Sequence, residues 1–150
     1  MGFGTGILIN VYRSLVLSHF QYSAPVLGST SAAAKNEMAK QQASFLDIIG
    51  ISSELAQERY NIQPISSFID STCVNILKRI VANPEHPITV QIRRPASELK
   101  VADAFPYRIP GKVSKSAAYH NSFLPRTINL MRDSEAKSHA VLRRHRPPII

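Results

Sequence analysis

The sequence predicts a mainly α-helical protein. A small bundle of about three helices is expected over residues 1–83, followed by a basic, proline-rich and mostly irregular segment over 84–150 with one short helix. Three observations lead to that division. In the first half, apolar residues recur at three- and four-residue steps, the period of a helix with one buried face. Eight of the ten prolines follow residue 80, and only Pro25 and Pro64 precede it. Charge divides in the same place. Residues 1–75 carry four Lys or Arg against five Asp or Glu, a net −1, whereas residues 76–150 carry fourteen against five, a net +9.

After a glycine-rich start (MGFGTG), a first helix is expected from Ile7, with Leu8, Val11, Leu15 and His19 on one stripe joined by Tyr12 and Val16. It should stop before Pro25, because a residue preceding proline is pushed out of the helical region. Gly28 to Ser31 reads as a short loop. Ser31 is then a suitable N-cap for a second helix over Ala32–Ile49, with Met38, Gln42, Phe45, Leu46 and Ile49 inward and Gly50 as its terminator. Ser53 to Tyr60 allows one or two further turns. The cleanest periodicity follows Pro64, where Ile65, Phe68, Ile69, Thr72, Cys73, Ile76, Leu77, Ile80 and Val81 share a face until Asn83-Pro84. Beyond it, Ile88 to Ile92 alternates as a short strand would. Asn121 to Asp133 suits one short amphipathic helix after Pro125, and the closing RRHRPPII reads as a loose end.

Several chemistries lack their residues. Cys73 is the only cysteine, so no internal disulfide is possible; a reducing, intracellular setting, nuclear or cytoplasmic, is expected. On its apolar stripe the thiol reads as packing rather than nucleophile. No apolar run reaches the ~18–20 residues of a membrane span, and no signal peptide or membrane partner is expected. The ten acids are scattered with no Asp-Asp pair, which argues against metal-assisted phosphoryl transfer. His19, His86, His120, His139 and His145 lack zinc-site spacing. No catalytic residue, metal ligand or cofactor is therefore assigned.

The cations are the remaining signal. A positive half points to a polyanion, and the candidate nucleic-acid-binding residues are Lys78, Arg79, Arg93, Arg94, Lys112, Lys115, Arg126, Arg143 and Arg144. Lys100, Arg108, Arg132 and Arg146 belong to the same basic half. Phe105, Tyr107, Tyr119 and Phe123 are interleaved with them, an arrangement that suits backbone contacts with occasional base stacking. Equally, the aromatics could anchor the segment to the bundle, the preferred reading for Phe123.

The order of these parts resembles the region after the catalytic palm in reverse transcriptases of non-LTR (LINE-type, jockey-like) retrotransposons. In that family a helix of the type LYxSLIxxxLxYASPVWG is followed by a loop and a second helix with a central Gln and an Ile-Ile-Gly end. Tyr12 to Val16 and His19 to Val26 are similar to the first part; Gln42, Phe45, Leu46, Ile48, Ile49 and Gly50 are similar to the second. KRIVANPEHPI (78–88) resembles the next helix and its Asn-Pro-x-His-Pro exit, and HNSFLPRT (120–127) resembles a (Y/N)SFxPR segment. The family's tryptophans are replaced by Leu27 and Met131, and its Tyr-x-Asp-Asp palm is absent from these residues. The resemblance implies a thumb and post-thumb region, inactive alone. Its implied partners are the RNA/DNA template–primer duplex, gripped without sequence preference, and the remainder of the polymerase. Within it, Tyr22, Ser23 and Pro25 read as a structural corner. The other readings are a basic helical scaffold of a ribonucleoprotein, unrelated to polymerases, and a small adaptor using the third helix.

Overall fold

The structure, a computed structural model, describes residues 4–99, 105–110 and 116–144; for Ala117 and residues 138–144 it describes the backbone only. Lys100, Lys112, Lys115 and Arg146 lie outside the described residues. The chain is mainly helical, and it divides into two compact units, Met1–Cys73 and Val74–Ile150. The division falls inside a helix, between Cys73 and Val74.

In the first unit, α1 (Thr5–Val11), a π-helical segment (Tyr12–Leu17) and α2 (Ser18–Gly28) run on without leaving helical dihedrals at their junctions. Two expectations are corrected here. Pro25 lies inside α2 rather than beyond its end. Its missing N–H deprives only the Gln21 carbonyl, at an exposed position, while buried Ala24 and Gly28 hold the turn inward. The Ala24 carbonyl also accepts from the buried Cys73 thiol at 3.3 Å, which bears out the packing role of that cysteine. The second correction concerns the buried face. Ile9 and Tyr12 enter the core with Val16 and Leu17 packed against it, while Val11 and Leu15 stay exposed. Ile9, Tyr12 and Val16 are themselves three and four residues apart, so two apolar stripes run along this helix and the core takes the one through Ile9.

The following elements match the sequence reading. Helix α3 spans Ala32–Ile49; the Ser31 hydroxyl accepts from the Ala34 N–H, and Gly50 terminates it at φ 79°. Helix α4 spans Ser53–Tyr60, capped by Ser52 and closed by Asn61 at φ 50°. Both left-handed terminators lead into a buried isoleucine. The Ile51 N–H returns to the Leu46 carbonyl and the Ile62 N–H to the Ala56 carbonyl, so each stop also adds an apolar side chain to the core.

Gln42 ties the unit together. Its Nε2 donates to the Tyr12 hydroxyl at 3.2 Å and to the Gln63 carbonyl at 3.0 Å, and its Oε1 accepts from the Ile65 N–H at 2.8 Å. One amide thus joins the first helix to the N-terminus of α5 (Ile65–Val81). The Tyr12 and Phe45 rings stack above it with centroids 4.6 Å apart. Arg13 completes the wiring by donating to the Tyr60 carbonyl at the end of α4.

The second unit is more helical than the sequence suggested. Ile88 to Ile92 is no strand: α6 covers Pro87–Ile92. Asn83 Oδ1 accepts from the Glu85 N–H, His86 Nδ1 accepts from the Ile88 N–H, and Pro87 sits where no N–H is needed. The buried Thr89 hydroxyl then donates to the Ile80 carbonyl of α5 at 3.0 Å. Capping outweighs an alternation of five residues. A 3-10 turn (Ala96–Glu98) and α7 (Ala117–Asn121) precede α8, which begins ahead of Pro125 and spans Phe123–Arg144, longer than the short helix expected. Leu77, Ile92, Phe105, Ile128 and Met131 form the core of this unit.

Candidate nucleic-acid interface

Lys78 and Arg79 are exposed on the last turn of α5. Val74, Leu77 and Val81 face the core, so the intervening residues point outward by helical spacing. Cations there also complement the helix dipole.

The next group is set by a backbone pairing. Arg93 and Tyr107 form an isolated antiparallel bridge; the Arg94 N–H donates to the Pro106 carbonyl at 2.9 Å and the Arg108 N–H to the Ile92 carbonyl at 2.7 Å. This pairs the backbone around exposed Arg93 with that around exposed Arg108, fifteen residues further along the chain. Arg108 is absent from the candidate residues named above. Nothing local in the sequence marks it, because its place follows from a pairing with residues on the far side of a loop.

Arg94 is differently employed. Its Nη1 donates to the Phe105 carbonyl at 3.2 Å and its Nη2 to the Glu98 carbonyl at 2.7 Å. It is a half-buried clamp on the loop rather than a free surface charge. Arg126, in the first turn of α8, is also half-buried and has partners of its own. Arg132 is exposed but stands over the Phe105 ring, 5.1 Å from its centroid. Arg143 and Arg144 close α8, described by backbone alone.

The aromatics anchor rather than stack outward. Phe105 is buried, meets Tyr107 edge-to-face at 5.6 Å and has a ring face covered by Arg132. Tyr107 and Leu124 pack on the same core. Tyr119 donates its hydroxyl to the Pro110 carbonyl. Among the described residues of the second unit, the exposed cations are Lys78, Arg79, Arg93 and Arg108, with Arg132 and Lys137 exposed along α8.

Titration is perturbed elsewhere. Burial pushes the Tyr12 phenol above its ordinary range, opposed by the Gln42 hydrogen bond. The Glu54 carboxyl is lowered by its own backbone N–H and the Ser52 hydroxyl. Both groups belong to the first unit and shape helix ends and core, not the cationic face. Among the described residues no three His, Cys, Asp or Glu side chains converge as metal ligands, and no helix is long and apolar enough to cross a membrane.

The chain matches no protein-family model, no curated protein and no solved structure.

Proposed function

We propose that the chain is a non-catalytic, thumb-like region of a non-LTR retrotransposon reverse transcriptase, acting inside the cell. Its second unit holds a template–primer duplex by the phosphates. The observation that carries this reading is the coincidence of charge with fold. The unit Val74–Ile150 holds fourteen Lys or Arg against five acids, and exposed Lys78, Arg79, Arg93 and Arg108 stand on its helix end and backbone bridge. The order of family-like motifs along the chain supports the polymerase assignment. The chemistry of nucleotide addition belongs to a palm that these residues do not include.

The test is equilibrium binding of the full chain to an RNA–DNA hybrid across a salt series. Four phosphate contacts predict a log–log slope of about −3.6, roughly −0.9 for each contact. Replacing Lys78, Arg79, Arg93 and Arg108 by Gln should flatten that slope by nearly the same amount. Absence of binding at low salt would remove the functional content of the proposal. Binding to folded RNA with no affinity for the hybrid would favour the ribonucleoprotein scaffold.

A further inference from the structure

The 3-10 turn Ala96–Glu98 is held to its unit by very little. None of its residues is buried, and Pro95 to Leu99 are exposed throughout. Its backbone bonds are local, from the Glu98 N–H to the Pro95 carbonyl at 2.9 Å and from the Leu99 N–H to the Ala96 carbonyl at 3.2 Å. The Arg94 guanidinium adds a further tie, through Nη2 to the Glu98 carbonyl at 2.7 Å. A segment with so few contacts opens at small cost.

Ser97 is the central residue of that turn, and its sequence neighbours set it apart. Among all Ser and Thr residues of the chain, it alone has a Lys or Arg three positions before it, Arg94, with Arg93 one further back. Hydroxyls elsewhere are committed to the fold. Ser14, Ser18 and Ser23 donate to carbonyls of their own helix, while Ser31 and Ser52 cap helices. Exposed Ser97 has no such tie among the described residues.

A hydroxyl on an easily opened turn, with guanidinium groups at a fixed distance before it, suits the substrate groove of an arginine-directed serine kinase. Carboxylates in such a groove pair with the arginines and so set which hydroxyl reaches the phosphate donor.

We propose that Ser97 is a phosphorylation site for a kinase of this class, and that Arg94 holds the phosphate once it is formed. In the transfer, Ser97 Oγ forms a bond to the γ-phosphorus of ATP as the bond from that phosphorus to the ADP oxygen breaks. The hydroxyl proton passes to the kinase's base, and phosphoserine and ADP are the products. The new group brings a charge of about −1.5 to −2 and three strong acceptor oxygens. It forms one residue from the carbonyl that Arg94 Nη2 now holds. A charged phosphate oxygen outcompetes a neutral carbonyl, so the guanidinium passes to the phosphate and exposed Glu98 gives its carbonyl to water. The modification also lowers the positive field beside Arg93, and its effect on duplex binding rests on the function proposed above.

The test is incubation of the full chain with Mg·ATP and the catalytic subunit of cyclic-AMP-dependent protein kinase or, separately, calmodulin-dependent protein kinase II. A single phosphate should enter, placed at Ser97 by tandem mass spectrometry, and Ser97→Ala should abolish it. Arg94→Gln should slow uptake roughly tenfold or more through loss of one charged pair. That variant also loosens the turn, so an unchanged or faster uptake would show that access alone decides and would overturn recognition through Arg94. No uptake with either kinase, or uptake at another residue, overturns the site. In the phosphorylated chain the Arg94 Nε–H resonance should shift in a proton–nitrogen correlation spectrum; an unmoved signal overturns capture by Arg94. Phosphorylated chain should bind an RNA–DNA hybrid roughly tenfold more weakly than unmodified chain at low salt. Equal binding overturns the effect on the surface. If the unmodified chain binds no hybrid, the duplex reading fails while uptake at Ser97 and the Arg94 shift still stand.

Discussion

The two units solve the same problem, a small helical core, in different ways. The first routes its helices through one side-chain amide: Gln42 reaches Tyr12, the Gln63 carbonyl and the Ile65 N–H at once. The second packs Leu77, Ile92, Phe105, Ile128 and Met131 with no side-chain hydrogen bond among them, and places its polar clamps, Arg94 and Thr89, on backbone carbonyls around that core. The difference teaches where each unit spends its cations. In the first, Arg13 is used internally at a helix end. In the second, Arg94 and Arg132 hold Phe105, while Lys78, Arg79, Arg93 and Arg108 stay exposed.

The comparison is broken most forcefully at the apolar core. Leu77→Ala removes a fully buried side chain and should cost about 2–5 kcal/mol, read as lost amide-exchange protection over α6 and α8. Gln42→Leu strands a helix N–H and a carbonyl together, which should cost about 2–3 kcal/mol, seen by urea denaturation and by exchange at Ile65. If this variant were neutral, the amide would be an ornament on an apolar core, and the two units would be alike. Asn61→Ala puts a side chain without a local hydrogen bond into a left-handed position and should cost about 1 kcal/mol, whereas Asn61→Gly should stay near neutral.

The smallest effect is alkaline. The folded-state pKa of Tyr12 is raised by burial, so its contribution is fully present below the ordinary phenol value of about 10 and is lost as pH climbs from there through the folded value. Melting temperature measured from pH 8 upward should fall above about pH 10. Tyr12→Phe should flatten that fall, and a parallel decline in the variant would assign it elsewhere.

Much of the first unit was legible because its signals are local. Ser31 caps, Gly50 reverses, and the stripe of α3 has ordinary helical spacing; each depends on neighbours within one or two turns. The buried face of the first helix was misread because apolar residues stand on two neighbouring stripes, and only packing against Leu46, Ile51 and Ile62 selects the one through Ile9 and Tyr12. The α6 helix was misread because five alternating residues look like a strand until His86 and Thr89 find their partners. The cationic surface was legible as composition and not as geometry. Arg94 and Arg108 are equivalent in the sequence, yet one is bound to two carbonyls and the other is exposed.

The sequence by itself determined the helical class, the end of α3 and the placement of positive charge in the second half. These follow from side-chain periodicity, caps and charge counts, which are fixed along the chain. Only the tertiary structure decided which cations are free, which face of the first helix is left bare, and that Gln42 joins three segments. Those facts depend on residues distant in sequence meeting in space, where burial and hydrogen-bond geometry select among side chains of the same type.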